Sequence, residues 1–94
     1  MTVDPAGHTG DSLITYPSPF PIKIMGLRAE GYAQAVLDVV LRHAPDFDPA
    51  TMEMRPSKAG KYLSLTVTIT ARSREQLDAL YRDLSGHPMV KMVL

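Results

Sequence analysis

Alternation of apolar and polar residues is the clearest pattern along this chain. It is most regular in one segment, where Leu63, Leu65, Val67, Ile69 and Ala71 alternate with Ser64, Thr66, Thr68 and Thr70. A period of two predicts a strand with one buried face and one polar face. The same period over residues 20–25 predicts an earlier strand that ends at Gly26. The preceding YPSPFP is expected to be extended, because proline provides no N–H for a ladder.

Two shorter strands are predicted from weaker alternation. Residues 51–55 place Met52 and Met54 inward and Glu53 and Arg55 outward. Residues 89–94 close the sequence, with Val90, Met92 and Leu94 expected on one face.

Two apolar stripes with helical spacing separate these strands. The first consists of Ala33, Val36, Leu37, Val40, Leu41 and Ala44, and the second of Leu77, Leu80, Tyr81 and Leu84. Ser73 and Gln76 have the spacing of a capping box that opens the second helix. Gly86 is expected to adopt a left-handed conformation after that helix, and Pro88 prevents its continuation.

The predicted order of elements is therefore β-α-β-β-α-β. With right-handed crossovers, this order gives the ferredoxin-like α+β sandwich, in which a four-stranded antiparallel sheet carries both helices on one face. A single domain is expected over residues 13–94. Residues 1–12 have no periodicity and are expected to be a flexible N-terminal tail.

Composition narrows the classes of function. The 94 residues include 10 basic and 10 acidic ones, and this balance argues against a partner recognised by bulk electrostatics, such as nucleic acid or an anionic membrane. The absence of cysteine excludes disulfides and thiolate-based metal sites. No segment has the pattern of a signal peptide or the length of a membrane span, so a cytoplasmic protein is expected.

Four segments carry a family resemblance. They are YPSPFPIKIMG, VVLRHAP, RPSKAGKYLSLTVTIT and the terminal VKMVL. In this order and spacing, over residues 12–94, the chain resembles the YbeD family of small bacterial proteins. The resemblance implies a fold similar to ACT regulatory domains, which bind small ligands, often amino acids, between paired copies. It also implies a link to lipoate metabolism, from gene neighbourhood, and it carries over no catalytic residue.

The segment RPSKAGKY looks most like a binding site. It offers Arg55, Lys58, Gly60, Lys61 and Tyr62 as contacts for an anion or a partner. A phosphate-binding P-loop is excluded, because Tyr62 follows Gly60-Lys61 and a strand comes next instead of a helix. The main interpretation is a β-hairpin with a positive φ at Gly60 and solvated lysines. The alternative is a modest contact with an anion or a partner through the three cations.

The outward face of the sheet is rich in threonine, which suits a solvated strand face. Alternatively, it is a partner or self-association face to which Met25 and Tyr62 contribute. The RNA-recognition motif has the same β-α order, so RNA is tested as a further candidate for this face. An RNA-recognition motif stacks bases on exposed aromatic rings of its central strands. Here Tyr62 is the one outward ring, beside Lys23 and Met25 and a row of threonines. A nucleic-acid-binding module that uses the Lys58/Lys61 hairpin is kept as an alternative. Another is a homodimer formed through the last strand, which is expected at a sheet edge.

The sequence has no pattern of an enzyme or metal site. The chain has no Gly-flanked serine elbow, and its histidines lack the spacing of metal ligands. His43 is expected to interact with the last carbonyls of the first helix. We therefore expect a non-catalytic regulatory or adaptor domain without cofactors, which binds a small metabolite or a protein partner. An accessory role in an enzyme system near lipoate synthesis rests on the resemblance alone.

Overall fold

The computed structural model describes residues 15–94, which form four strands and two helices around one hydrophobic core. The predicted tail, residues 1–12, lies outside the described residues. In chain order, the elements are β1 (Ser18–Leu27), α1 (Tyr32–His43), a 3₁₀ turn (Pro49–Thr51), β2 (Glu53–Pro56), β3 (Tyr62–Ala71), α2 (Arg74–Ser85) and β4 (Val90–Val93). The predicted β-α-β-β-α-β order is confirmed.

The strands form one antiparallel sheet in the order β2-β3-β1-β4, as a ferredoxin-like domain requires. Both helices pack on one face of this sheet. That face contributes Ile22, Ile24, Leu65, Val67, Ile69 and Ala71 to the core. We call the opposite side the outer face; it carries Lys23, Met25, Tyr62, Ser64 and Thr66. The face assignment predicted for β1 and β3 is thereby confirmed.

β1 is longer than predicted at both ends. It begins at Ser18 and includes Pro19 and Pro21, and it continues through Gly26 to Leu27. Lys23 exchanges backbone hydrogen bonds with Leu94 on the β4 side, at 3.2 and 2.8 Å. Alternate residues of a strand direct their backbone nitrogens to the same side, so the nitrogens of Pro19 and Pro21 point to the same side as that of Lys23. At these positions β1 extends past the part that pairs with β4. The prolines therefore remove no ladder hydrogen bond.

α1 turns a slightly different face to the core than predicted. Gly31, with φ of 84°, precedes the helix, and the deepest side chains are Tyr32, Val36, Val39 and Val40. Tyr32 and Val39 were not part of the predicted stripe. Ala33, Leu37 and Leu41 were part of it, yet they are only partly buried. The contact line on the sheet is therefore rotated toward Val39.

α2 begins as predicted and ends differently. The Ser73 hydroxyl accepts a hydrogen bond from the Gln76 backbone amide at 3.1 Å, which confirms the Ser73 half of the predicted capping box. The Gln76 side chain accepts from the backbone amide of Arg72 instead of that of Ser73, so the reciprocal half differs. Gly86 has φ of −85°, so the left-handed conformation predicted for it was wrong. The chain instead stays right-handed, because Gly86 N–H bonds to Arg82 at 3.0 Å and His87 N–H bonds to Leu84 at 3.1 Å.

β2 differs from its prediction in position and burial. Thr51 belongs to the 3₁₀ turn, and the strand starts at Glu53. Met52 is partly buried against the core, but Met54 is 58% exposed. Met54 lies opposite Leu65 on the helix-covered side, yet β2 is an edge strand that the helices do not cover there.

β4 lies at the other edge, as predicted, and Met92 and Leu94 share a face as predicted, but Val90 lies on the opposite face. Ile24 pairs with Val93 and Met25 pairs with Met92, whereas Gly26 pairs with Val90, so Lys91 forms a bulge. A bulge inserts one residue and resets the alternation beyond it. Val90 and Val93 consequently pack against the core, while Met92 lies across from Met25 on the outer face.

Candidate functional site

The segment RPSKAGKY forms the β-hairpin between β2 and β3. The Ser57 amide donates to the Tyr62 carbonyl at 2.8 Å, and the Gly60 amide donates to the Ser57 carbonyl at 2.9 Å. The Tyr62 amide donates to the Ser57 hydroxyl at 3.1 Å. Gly60 has φ of 76°, a conformation that glycine adopts without strain, so the positive φ predicted for it is confirmed. The Ser57 hydroxyl thus has a structural role within the turn.

A shallow depression of ≈ 210 Å³ lies on the outer face beside this hairpin. It is lined by Lys23, Met25, Arg55, Pro56, Ser57, Tyr62 and Ser64. A second depression adjoins it and adds Glu53, Met54 and Thr66 to the lining, although the side chain of Met54 belongs to the other face of the sheet. Cationic, hydroxyl and apolar groups therefore border a common concave surface, which suits a ligand that has both an anionic and an apolar part.

Strand register explains why these side chains meet. Residues opposite each other on antiparallel strands share a face, so each set of partners forms a row across the sheet. One row runs Arg55, Ser64, Met25, Met92, and the next runs Glu53, Thr66, Lys23, Leu94. Tyr62 and Leu27 form a third, shorter row.

Some of the predicted contact residues line the depression, and others lie outside it. Arg55 and Tyr62 line the depression, whereas Lys58 and Gly60 lie in the loop outside it. Lys61 is also in the loop, but its Nζ lies 5.6 Å from the centroid of the Tyr62 ring, within reach of a cation–π contact. Met25 was predicted to help Tyr62 form a partner face, and both residues line the depression. Lys23 was predicted only as an outward residue of β1, because joining it to the hairpin requires the β1–β3 register.

Charge is distributed unevenly over the described residues. The strands, the hairpin and the β1–α1 connection carry six basic residues, Lys23, Arg28, Arg55, Lys58, Lys61 and Lys91, against two acidic ones, Glu30 and Glu53. The helices and their flanking segments carry four basic and six acidic residues. The outer-face side is thus positive, although formal charge cancels over the whole chain.

Ion pairing follows the same division. Within residues 15–94, the ion pairs are Arg42–Asp83 at 3.7 Å, His43–Asp83 at 2.5 Å, Arg72–Asp46 at 2.6 Å and Arg74–Asp78 at 3.6 Å. All of them lie on the helix side. None of the six basic residues on the sheet side forms an ion pair with a described residue. Their charge is therefore available to a partner.

The helix-side pairs fasten α1 to α2. His43 Nε2 lies 2.5 Å from Asp83 Oδ2, so His43 contacts α2 and does not cap its own helix as predicted. The Gln76 side chain donates to the His43 carbonyl at 2.9 Å and accepts from the Arg72 amide at 2.6 Å. The hydrogen bond from His43, helped by Arg42 and Arg82, holds the pKa of Asp83 below its ordinary value. These contacts join the two helices, and none of their residues lines either depression.

Two further observations concern metals and membranes. Among residues 15–94, no group of three or more histidine, aspartate or glutamate side chains is placed to hold a metal ion. In the same part of the chain, no helix is long and apolar enough to cross a membrane.

Comparison with known families decides what this chain is related to. Residues 11–94 match the model of the family described as "Protein of unknown function (DUF493)". The chain belongs to this family. The DUF493 match covers the entire ferredoxin-like fold, and the resemblance to the YbeD family is confirmed.

Relatives in the DUF493 family are close in sequence. A UPF0250 protein of Leptothrix cholodnii is 63% identical over 83 residues, covering 88% of this chain and 91% of that protein. A UPF0250 protein of Bordetella pertussis is 62% identical over 84 residues, covering 89% of this chain and 92% of that protein. The match therefore spans nearly the full length of both proteins.

Solved structures agree on the fold. The crystal structure of the ACT domain from the GTP pyrophosphokinase of Chlorobium tepidum has a TM-score of 0.63 at 18% identity, covering 82% of this chain and 97% of that chain. The solution structure of HP0495 from H. pylori has a TM-score of 0.64 at 18% identity, covering 86% of this chain and 85% of that chain. The DUF493 chain thus has an ACT-like, ferredoxin-like α+β fold.

Proposed function

We propose that this protein is a non-catalytic regulatory or adaptor domain, which acts by binding a protein partner or a small metabolite through the outer face of its sheet. The observation that carries the proposal is the asymmetry of the sheet. One face is covered by both helices, while the other presents the depression between Arg55, Tyr62 and Lys23. A concave surface with a few convergent polar groups is the usual form of a binding site.

The ACT-like fold supports a regulatory role by analogy. The neighbour from Chlorobium tepidum is a domain of a GTP pyrophosphokinase, that is, a module attached to an enzyme. Fold alone does not determine function. The proposed binding role therefore rests on the outer face, and the fold contributes only the analogy to a regulatory domain. A link to lipoate metabolism comes from the family resemblance and is a part of the proposal without structural support.

The composition of the depression favours binding over chemistry. One of its lining hydroxyls, Ser57 Oγ, already accepts a hydrogen bond from the Tyr62 amide. The tightest acid–base contact of the described residues, His43 with Asp83, joins the two helices on the covered side of the sheet. Covalent catalysis requires a nucleophile and a base within hydrogen-bond reach of each other. The lining of the depression combines cationic, hydroxyl and apolar groups, which are suited to recognising a ligand.

Affinity capture with matched variants tests the proposal. The tagged protein would be compared with Lys23→Glu/Arg55→Glu, which reverses the charge of the outer face, and with Arg74→Glu/Arg82→Glu, which makes the same charge change on α2. We expect partners, or metabolites that raise the melting temperature, to be retained by the wild type and the α2 variant and lost from the outer-face variant. Equal capture by all three proteins would refute a role for this face.

The predicted homodimer stays a prediction, and β4 sets its geometry. β4 offers an edge of four residues that is interrupted by the bulge at Lys91, and Pro19 and Pro21 provide no N–H beyond it. Pairing of two copies would therefore involve few hydrogen bonds. Sedimentation at micromolar concentration tests the idea, and a monomer throughout would contradict it.

A further inference from the structure

The outer face carries an apolar patch with a cationic border. We call the residues Met25, Leu27, Tyr62, Met92 and Leu94 the outer-face patch. Their rows place them side by side on β3, β1 and β4. Met92 is 49% exposed and Leu94 is 62% exposed, and Leu27 and Tyr62 are each more than a third exposed. Large side chains this exposed and this close together form a contiguous surface that a partner can cover.

The border of the outer-face patch consists of unpaired cations. Lys23 lies in the row of Leu94, and Arg55 lies in the row of Met25 and Met92. Lys61 lies over the ring of Tyr62. None of these three forms an ion pair within residues 15–94, in contrast to the paired arginines of the helix side. The patch therefore combines apolar anchors with free positive charge.

We propose that the outer-face patch binds an acidic segment of a protein partner, with apolar side chains of that segment seated on Met25 and Tyr62 and its carboxylates on Arg55 and Lys23. The inference rests on the proposed function and names the chemistry of the partner. Guanidinium groups pair with carboxylates in a bidentate fork, and lysine adds a mobile point charge. Methionine side chains adapt to apolar residues of varied shape, so they suit the anchor positions.

The same observations disfavour a second copy of this chain as the occupant. Two outer faces placed against each other would bring Lys23, Arg55 and Lys61 near the same cations of the other copy. Glu53 is the one acidic side chain in the three rows of outer-face residues, so it cannot neutralise three cations. Like charges facing each other across an interface disfavour association, and an acidic partner avoids this repulsion.

The chemistry also differs from that of nucleic-acid and membrane surfaces. Single-stranded RNA needs several exposed rings, and Tyr62 is the single aromatic residue of the patch. A lipid surface favours a convex, protruding apolar group, whereas Met25 and Tyr62 line a depression. A concave apolar spot between two cations fits the side chain of an extended peptide.

Selection from displayed random peptides tests the inference even though the partner is unidentified. The immobilised wild-type protein would be used for selection, and its enriched peptides would then be titrated by NMR. We expect sequences rich in aspartate or glutamate interleaved with leucine, methionine or phenylalanine. We also expect amide shifts at Met25, Tyr62 and Met92, and an affinity that falls as salt is raised.

Three double variants, one of them a control on α2, distinguish charge from apolar contact. Lys23→Glu/Arg55→Glu should weaken the enriched peptides about tenfold or more, whereas Arg74→Glu/Arg82→Glu should leave them within about twofold. Met25→Ser/Met92→Ser should weaken them while preserving the salt dependence. Thermal melts of all variants establish that each is folded.

Several results would overturn the inference. Enrichment of neutral or basic peptides, or shifts confined to the helices, would do so. Binding of single-stranded RNA or of anionic phosphatidylserine vesicles by the same face would replace the acidic segment with another partner. If capture experiments still depend on Lys23 and Arg55 while no acidic peptide binds, the proposed function stands and the inference about its partner fails.

Discussion

At the scale of single residues, Gly26 shows how closely the core is packed. A β-carbon at this position would meet the Met89 carbonyl oxygen and would lie 2.6 Å from Cε1 of Tyr32, whose side chain is fully buried. Backbone oxygen cannot move aside as a flexible side chain can. Glycine is therefore required in β1 by a close approach of neighbours, even though it is unfavourable in most strands.

Replacing Gly26 tests this packing. Gly26→Ala should lower the free energy of unfolding by about 2–3 kcal/mol, because the added methyl group forces the Met89 backbone and the Tyr32 ring away from β1. Urea denaturation measures the loss. Gly86→Ala is the control, since Gly86 has a right-handed φ and its added carbon would lie 3.2 Å from the Arg82 oxygen. A loss at Gly26 no larger than that at Gly86 would contradict the explanation.

Tyr32 has a hydroxyl that adds no stability to the core. The hydroxyl is buried without a hydrogen-bond partner among the described residues, and burial raises the pKa of this side chain to about 12. Tyr32→Phe removes the unsatisfied group and keeps the ring, so it should leave stability unchanged or raise it by up to about 1 kcal/mol.

Tyr32→Ala provides the comparison for that substitution. It removes the ring, and it should cost about 3–5 kcal/mol, as other large-to-small core substitutions do. Both are measured by chemical denaturation. A loss above about 1 kcal/mol for Tyr32→Phe would indicate a partner for the hydroxyl, such as a buried water.

At the scale of elements, β3 offers a sharp contrast between adjacent residues. Val67 is fully buried against the helices, and Thr66 lies on the outer face between Glu53 and Lys23. Val67→Asp should cost roughly 3–5 kcal/mol, because it places an unpaired carboxylate in the core. Thr66→Asp should cost less than about 1 kcal/mol. Thermal melts compare the two, and similar losses would contradict the face assignment.

The contact between α1 and α2 makes stability depend on pH. The pKa of Asp83 is lower in the folded protein, chiefly through the hydrogen bond from His43. A lowered carboxyl pKa stabilises the fold above the unfolded pKa, and this stabilisation is lost as the pH falls through the folded pKa. Asp83→Asn should therefore flatten the loss of stability below about pH 4.

Urea midpoints measured from neutral to acidic pH check this dependence. His43→Ala should also reduce the loss of stability at acidic pH, because His43 is the main cause of the lowered pKa of Asp83. If Asp83→Asn and the wild type lose stability in parallel on acidification, the contact between His43 and Asp83 contributes nothing to the pH dependence.

The alternation of apolar and polar residues predicted the strands correctly. Its predictions failed where the backbone departs from regular geometry. The buried faces of β1 and β3 follow directly from a period of two, since each pairs in unbroken register. The bulge at Lys91 separated Val90 from the face of Met92 and Leu94, because one extra residue moves the side chains on its other side to the opposite face. Gly86 was misjudged for a similar reason: hydrogen bonds to Arg82 and Leu84 decide its conformation, and residue type alone does not reveal them.

At the scale of the whole molecule, the candidate site was only half visible in the sequence. Arg55 and Tyr62 could be found in RPSKAGKY, because they are close along the chain. Lys23, Met25 and Met92 come from other strands, and only the strand order β2-β3-β1-β4 brings them beside the hairpin. Net charge could not locate the site either, because a balance summed over the sequence does not reveal how charge is separated between the two sides.

That separation has a consequence for how the protein behaves on charged resins. A molecule with equal numbers of acidic and basic residues would be expected to pass through an exchanger at neutral pH, but a one-sided cationic surface can adsorb face-down on sulfonate beads. We expect retention in dilute buffer and release by modest salt. Arg55→Gln should elute earlier than Arg82→Gln, although both carry the same total charge. Coincident elution would mean that the column senses no preferred orientation.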